Sequence, residues 1–377
     1  MPESDDPGIS AAAEAVAAGL LSDRPWAERQ LATARRRAQS GKPYDRLLKK
    51  LLGRLQPGSE LVARRAAQPL QVAYPEDLPV SGERERILAS LRQRRVLVLT
   101  GETGSGKTTQ LPKMLWELGH GRRGQIAVTQ PRRVAAMATA RRLRDELQAP
   151  EEAVAHAVRF DDRGSPATVI RVLTDGLLLA EAGGDSDLRR YDAVIVDEAH
   201  ERGLNIDVLL GLLRRIRARR PELTIVVTSA SIDAEAFAEY FHDAEGPAPV
   251  IRVSGRSFPV EIIHQDPGDG DLGYLSALVR AVEELHESGE AGDILGFLPT
   301  ERDILEAARR LQKLPAASVL PLFSRLNAHE QQRVFAPIRG RKIVLATNIA
   351  ETSLTVPGIR FVIDAGLART KRYAASS

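Results

Sequence analysis

The run Gly101-Glu102-Thr103-Gly104-Ser105-Gly106-Lys107-Thr108-Thr109 follows a short apolar segment, 96–99, and leads into a stretch of helical period. A strand, a glycine-rich loop and a helix in that order can hold a chain of phosphates. Glycines let the backbone turn tightly so that successive N–H groups converge on anionic oxygens, and the helix adds the positive end of its dipole. Lys107 supplies a point charge at the β and γ phosphates, and the Thr108 hydroxyl can ligate Mg²⁺. A plain glycine-rich turn is the alternative, and the Lys-Thr pair in this strand-to-helix context disfavours it.

A second constellation, Asp197-Glu198-Ala199-His200, closes the apolar segment 193–196. Carboxylates at the carboxyl end of a buried strand lie where open α/β sheets gather ligands. Asp197 can hold Mg²⁺, and Glu198, itself a candidate for the metal's shell, can orient and activate the water that attacks a γ-phosphate. Alone, such a pair also reads as a helix N-cap; a phosphate loop earlier in the chain favours the catalytic reading. His200 is open between sensing the γ-phosphate and capping the next helix. Seven scattered histidines without an H-x-x-x-H cluster argue against zinc, so Mg²⁺ is the only metal expected.

Positioning these groups requires buried strands. Short β-branched runs at 96–99, 126–129, 169–173, 193–196 and 224–229 alternate with helical stretches, and after a break near 254–259 a second series follows at 260–263, 294–298, 319–322, 343–346 and 361–363. Buried strands alternating with helices imply βαβ units and parallel sheets. Two tandem α/β domains, 78–255 and 256–377, are therefore expected. Ahead of them, 24–77 reads as a basic helical extension and linker, broken at Gly41 and Pro43 into two short helices, and 1–23 as an acidic disordered tail or a frayed helix. The charge is polarised: residues 1–23 sum to −5, 24–95 to +10 and the rest to −2. A basic segment of this kind attracts phosphate backbones or is a solvated helical face. Cysteine is absent, which excludes thiolate metal sites, disulfides and cysteine nucleophiles. No apolar run approaches the ~20 residues of a membrane span, and the acidic N-terminus is unlike a signal peptide, so a cytoplasmic protein without membrane contact is expected.

The ordered series GETGSGKTTQLPK, TQPRR at 129–133, TDG at 174–176, DEAHER at 197–202, TSAS at 228–231 and ATNIAETSLTVPGI at 346–359 resembles the DEAH-box RNA helicases of superfamily 2. Its wording, with the basic helical N-terminal region, is closest to the bacterial HrpA type. The resemblance implies two RecA-like P-loop domains, ATP and Mg²⁺ in the cleft between them, and RNA as substrate, with a ribosome or ribonucleoprotein as a further partner. It places Ser229 and Ser231 in coupling hydrolysis to strand movement, and Arg142 with Phe335 around the adenine. Arg132, Arg133, Arg159, Phe160, Thr174, Arg256, Thr347 and Asn348 fall where the family touches RNA, residue types suited to backbone contact without sequence readout.

Gly296, in the fourth motif, stands where the family has a branched aliphatic residue. The family's sixth motif, source of its arginine fingers, is missing from the sequence, and the resemblance therefore implies a fragment of a longer helicase, its second domain incomplete. The implied activity is ATP-dependent translocation on RNA and unwinding, with 3′ to 5′ polarity. The alternative is a nucleotide- and nucleic-acid-binding module without productive turnover.

Overall fold

The computed structural model describes residues 6–102, 104–230, 233–254, 259–265, 273–323, 325–326, 328–347 and 356–367, without the side chains of 328, 329 and 332. The chain forms two compact units, Met1–Arg256 and Ser257–Ser377.

The first unit opens with three helices, α1 (Pro7–Ala18), α2 (Arg24–Gln39) and α3 (Asp45–Ala66). Their buried faces meet through Ala12, Val16, Ala27, Leu31, Leu48, Leu51 and Leu55. One expectation is decided here and one corrected. Of the two readings of the acidic N-terminal segment, disordered tail or frayed helix, the structure has a helix, α1, whose first turn is capped by the Asp6 carboxylate accepting from the N–H groups of Gly8 (2.8 Å) and Ile9 (3.2 Å). The cap satisfies orphan donors, and the Ala/Val face gains burial that α1 could not find alone. The second helix after Gly41 is not short: α3 runs for 22 residues and continues through Pro57.

Beyond the irregular stretch 67–78 come α4 (Pro79–Gly82) and α5 (Arg84–Arg94), then an eight-stranded sheet. Its strands are β1 (Val96–Gly101), β2 (Gln125–Gln130), β3 (Val154–Val158), β4 (Asp161–Asp162), β5 (Ile170–Thr174), β6 (Tyr191–Val196), β7 (Thr224–Ser229) and β8 (Val250–Val253). The order is β4-β3-β5-β2-β6-β7-β1-β8, all parallel except the β3–β4 pair. The crossovers are α6 (Lys107–Glu117), α7 (Arg133–Leu147), α8 (Asp175–Ala182), α9 (Leu204–Arg219) and α10 (Ala234–Tyr240). Neighbouring residues of one strand serve opposite cores. Leu97 and Leu99 pack with Ile87, Leu111 and Leu143, whereas Val96 and Val98 pack with Leu209, Leu213 and Phe237. Both faces are covered, which is why these strands read as uninterrupted apolar runs. A charge buried among them, Arg171 in β5, is held by Glu181 (2.5 Å), Asp162 (2.7 Å) and the Tyr191 hydroxyl (2.9 Å).

The second unit carries β9 (Asp293–Phe297), β10 (Ala317–Leu322), β11 (Arg341–Ala346) and β12 (Ile359–Asp364) in the parallel order β10-β11-β9-β12, with α11 (Gly273–Glu287), α12 (Glu301–Leu311) and α13 (Ala328–Arg333). Leu278, Val282, Ile304, Leu311, Ile343 and Leu345 form its core. Gly296 sits in β9, where a Cβ would lie 3.0 Å from a Leu345 methyl and 3.4 Å from one of Leu278. The missing side chain is thus filled by neighbours. The strand expected at 260–263 is absent: Val260, Ile262 and Ile263 are 78%, 74% and 73% exposed, outside any sheet. β-Branching favours a strand only where a neighbouring strand completes the ladder. Conversely β3 and β8 form from segments without a clear apolar run, recruited by pairing with β5 and β1. Among the described residues no helix is long and apolar enough to cross a membrane.

Candidate nucleotide-binding site

The phosphate loop leaves β1 at a residue that tolerates no side chain: a Cβ on Gly101 would lie 2.8 Å from the Val253 carbonyl oxygen. Gly104 and Gly106 have φ of +87° and +90°, the left-handed region that disfavours other residues. These turns deliver Lys107 to the start of α6. Its ammonium donates to the carbonyls of Gly101 (2.6 Å) and Glu102 (2.8 Å) and to the Ser105 hydroxyl (3.0 Å). Burial pushes the Lys107 pKa down, while the charges of Asp197, Glu198 and Glu102 work against that. Thr103 lies outside the described residues; Thr109 is buried one position beyond Thr108.

Asp197, at the carboxyl end of β6, gathers three side chains from three other segments. Oδ2 accepts from the Thr108 hydroxyl (2.6 Å) and the Gln130 amide (2.6 Å). Oδ1 accepts from the Thr228 hydroxyl. The sheet order puts β2 and β7 on either side of β6, so Gln130 and Thr228 end beside Asp197 without any long side chain reaching across. Neither residue was singled out by the sequence, although both belong to its motifs; their signal was their place at the ends of strands flanking the acidic pair.

Glu198 adopts φ 56°, ψ 38°, a backbone state rare for a residue with a side chain and common at functional sites. Burial, then the Asp197 charge, pushes its carboxyl up to about 8. His200 Nε2 stands 3.3 Å from Glu198 Oε2, and the Ala230 N–H donates to His200 Nδ1 (3.2 Å). With Nδ1 accepting, the proton of the neutral ring sits on Nε2 and points at Glu198; burial lowers the His200 pKa and favours that neutral form. His200 therefore bridges the acidic pair and the backbone just past β7, and is not the cap of the following helix. Ser229, at the end of β7, is buried; Ser231 lies outside the described residues.

The donor set fits magnesium. The Thr108 hydroxyl and the Asp197 carboxylate are hard oxygens, and among the described residues no group of three or more His, Cys, Asp and Glu forms a metal cage. Mg²⁺ typically takes one or two carboxylates and completes its shell with water and substrate phosphates.

Arg142, on α7, is fixed from behind. Its Nε donates to Glu146 Oε1 (2.9 Å), while Glu146 Oε2 accepts from Gln110 (2.9 Å) and Lys113 (2.8 Å) of α6. The GKTTQLPK wording thus ties the phosphate-loop helix to Arg142 through one carboxylate that sequence reading passed over. Phe335 follows α13 in the second unit and is partly buried.

The residues expected to meet nucleic acid gather partly. Gln130 pairs with Thr174 in the β2–β5 register, so Arg132, Arg133 and Thr174 share the carboxyl edge of the first sheet. Arg132 stands 3.5 Å from Glu201, and Arg133 is exposed at the start of α7. Phe160, 91% exposed with φ 69°, has the Arg159 guanidinium 4.9 Å from its ring centre, an open face on which a base can stack. Thr347 follows β11, its N–H donating to Leu322. Arg256 and Asn348 lie outside the described residues.

Known proteins share these sequences. Residues 90–231 match the family described as "AAA domain" and residues 276–374 the one described as "Helicase conserved C-terminal domain". The chain is 48% identical over 326 residues to the ATP-dependent RNA helicase HrpA of Escherichia coli (strain K12), covering 85% of this chain and 25% of that protein. It is 47% identical over 316 residues to the HrpA homolog of Haemophilus influenzae, covering 82% of this chain and 24% of that protein. The chain spans about a quarter of the length of these curated relatives.

Proposed function

We propose, from the premise that this chain belongs to the DEAH-box helicases of the HrpA type, that it binds ATP with Mg²⁺ and couples ATP hydrolysis to movement along RNA. In this reading 78–255 and 256–377 are the two RecA-like domains, the cytoplasm is the location, and a ribosome or ribonucleoprotein supplies the RNA. The observation that carries the proposal is the set of hydrogen bonds on Asp197. One carboxylate joins the phosphate-loop helix through Thr108, the loop that opens into Arg132 and Arg133 through Gln130, and the TSAS strand through Thr228. A change at the nucleotide is felt directly by groups leading to the nucleic-acid edge.

Each residue then has a task. The loop from Gly101 to Thr109 wraps the phosphates, and Lys107 exchanges its carbonyl partners for phosphate oxygens. Thr108 and Asp197 would hold Mg²⁺, which when bound would neutralise charge on the phosphates. Glu198 takes the proton of the attacking water; burial raises its carboxyl, and a more basic carboxylate is the stronger proton acceptor. His200 holds Glu198 from the side and relays its position to Ala230, the residue after Ser229 at the end of β7; Ser229 and Ser231 are the residues read as coupling hydrolysis to strand movement. The family resemblance assigns Arg142 and Phe335 each to the base, and stacking alone discriminates weakly among nucleobases.

Glu198→Gln keeps the shape of the side chain and removes its basicity. RNA-stimulated hydrolysis is expected to fall by roughly 10²- to 10⁴-fold, with nucleotide binding retained. Hydrolysis that persists in this variant would overturn the assignment of the base. Intact nucleotide binding with no stimulation of the parent by RNA would instead leave a binding module without turnover.

A further inference from the structure

We infer that the tip of the α2–α3 hairpin is a second RNA-binding surface, remote from the strand track at the carboxyl edge of the first sheet, that grips a separate stretch of the phosphate backbone. The inference rests on the RNA-helicase reading and adds a site to it.

Between residues 35 and 54 the chain carries eight cations, Arg35, Arg36, Arg37, Lys49 and Lys50 among them, against one acid, Asp45. All eight are exposed. Among the described residues no ion pair joins any of them to a carboxylate. Arg36 donates to the Thr33 hydroxyl, Arg37 to the Pro43 carbonyl, and Arg54 lies 4.0 Å over the Trp26 ring. Leu52, 38% exposed, is the one large apolar side chain open to solvent there among the described residues. A protein partner would ask for an apolar or aromatic centre. Dense charge of one sign without such a centre suits a phosphate backbone, whose binding is driven by release of counterions.

Its place sets this surface apart. The helices are anchored at the amino edge of the sheet: the Leu21 N–H donates to the Arg123 carbonyl (3.2 Å), Arg123 Nε to the Gly19 carbonyl (3.0 Å), Arg65 Nε to the Pro166 carbonyl (2.8 Å), and Arg64 pairs with Glu152 (2.8 Å). Residues 123, 152 and 166 each precede a strand, β2, β3 and β5. Arg132 and Arg133 follow the opposite end of β2, and Thr174 closes the opposite end of β5. Six residues of β2 span about 20 Å, and from Arg65 back to Lys50 is roughly a further 20 Å of helix. At physiological salt the screening length is about 8 Å. The two surfaces are tied to opposite ends of the strands, farther apart than the screening length, and on this inference a short RNA held on the track does not reach the hairpin tip.

The test combines Arg35→Gln, Arg36→Gln, Arg37→Gln, Lys49→Gln and Lys50→Gln in the full chain. Binding is measured against salt with single-stranded polyuridine of roughly 6 and roughly 30 nucleotides. The variant is expected to bind the long RNA about tenfold more weakly at low salt, with a slope of log K on log salt shallower by about 1.5 to 3. Affinity for the short RNA should stay within about twofold of the parent. An unchanged slope on the long RNA overturns the inference and returns the surface to solvent or to a protein partner. Equal losses on both RNAs also overturn it, because the effect would then lie in the track or the fold. A parent that binds neither RNA defeats the helicase reading itself, a result distinct from either.

Discussion

The two units use similar parallel sheets to different degrees of completion. In the first, β2, β6 and β7 are buried on both faces over their whole length, and the chemical groups are locked together: Lys107 on three acceptors, Asp197 on three donors, Glu198 against His200. In the second, β12 alternates exposed and half-buried residues and Val362 is 60% exposed. Of the expected site residues there, Thr347 is held by one backbone bond and Phe335 is partly buried. A sheet covered on both sides can hold several charges at fixed positions because low dielectric and close packing penalise any other arrangement. A partly covered sheet lacks that constraint.

The sharpest way to break this contrast is at Lys107. Lys107→Ala is expected to cost roughly 10²-fold or more in nucleotide affinity, about 3 kcal/mol, since it removes a buried charge aimed at the phosphates. Calorimetry showing the parent's affinity would mean that the first unit's locked geometry is not the nucleotide site. Next in size is Asp175, a buried acid whose carboxyl burial pushes up to about 6 from 3.8. Below about pH 4 it folds uncharged; as pH rises through about 6 the folded protein must carry the charge, a penalty approaching 3 kcal/mol. Asp175→Asn should therefore stabilise the first unit by roughly 1 to 3 kcal/mol near pH 8 and by little near pH 4. Equal effects at both pH values in thermal melts would remove burial as the cause. The smallest effect belongs to the second unit. At Gly296 the neighbours that must give way are flexible leucine methyls, so Gly296→Ala should change stability by less than about 1 kcal/mol and Gly296→Val should cost about 1 to 3. A stabilising valine would show that the second core is underpacked.

Much of the catalytic site was legible because its signals are local. Left-handed turns demand glycine within a few residues, and a phosphate loop needs its lysine and threonine next to the helix start. Strands β1, β2, β5, β6 and β7 showed as apolar runs where both faces were covered; the two-residue β4 did not show, nor did β3, where Ala-His-Ala interrupts the run and pairing with β5 supplies the stability. The strand expected at 260–263 failed for the converse reason: its side chains suit a sheet, and no neighbouring strand is there to receive them. Helix α1 was hidden because its burial depends on α3, some 30 residues away.

What the amino-acid order alone determined is the list of reactive groups and the short turns that present them, since backbone conformation and capping are settled between near neighbours. What only the tertiary structure decided is which of them meet. Thr108, Gln130 and Thr228 reach Asp197 because the strand order β2-β6-β7-β1 brings distant segments to one edge, and His200 faces Glu198 with its other ring nitrogen held by the Ala230 N–H just past β7. The same distinction separates the basic hairpin from the strand track. Both are rich in arginine in the sequence, and anchoring at the amino edge of the sheet is what ties them to opposite ends of its strands.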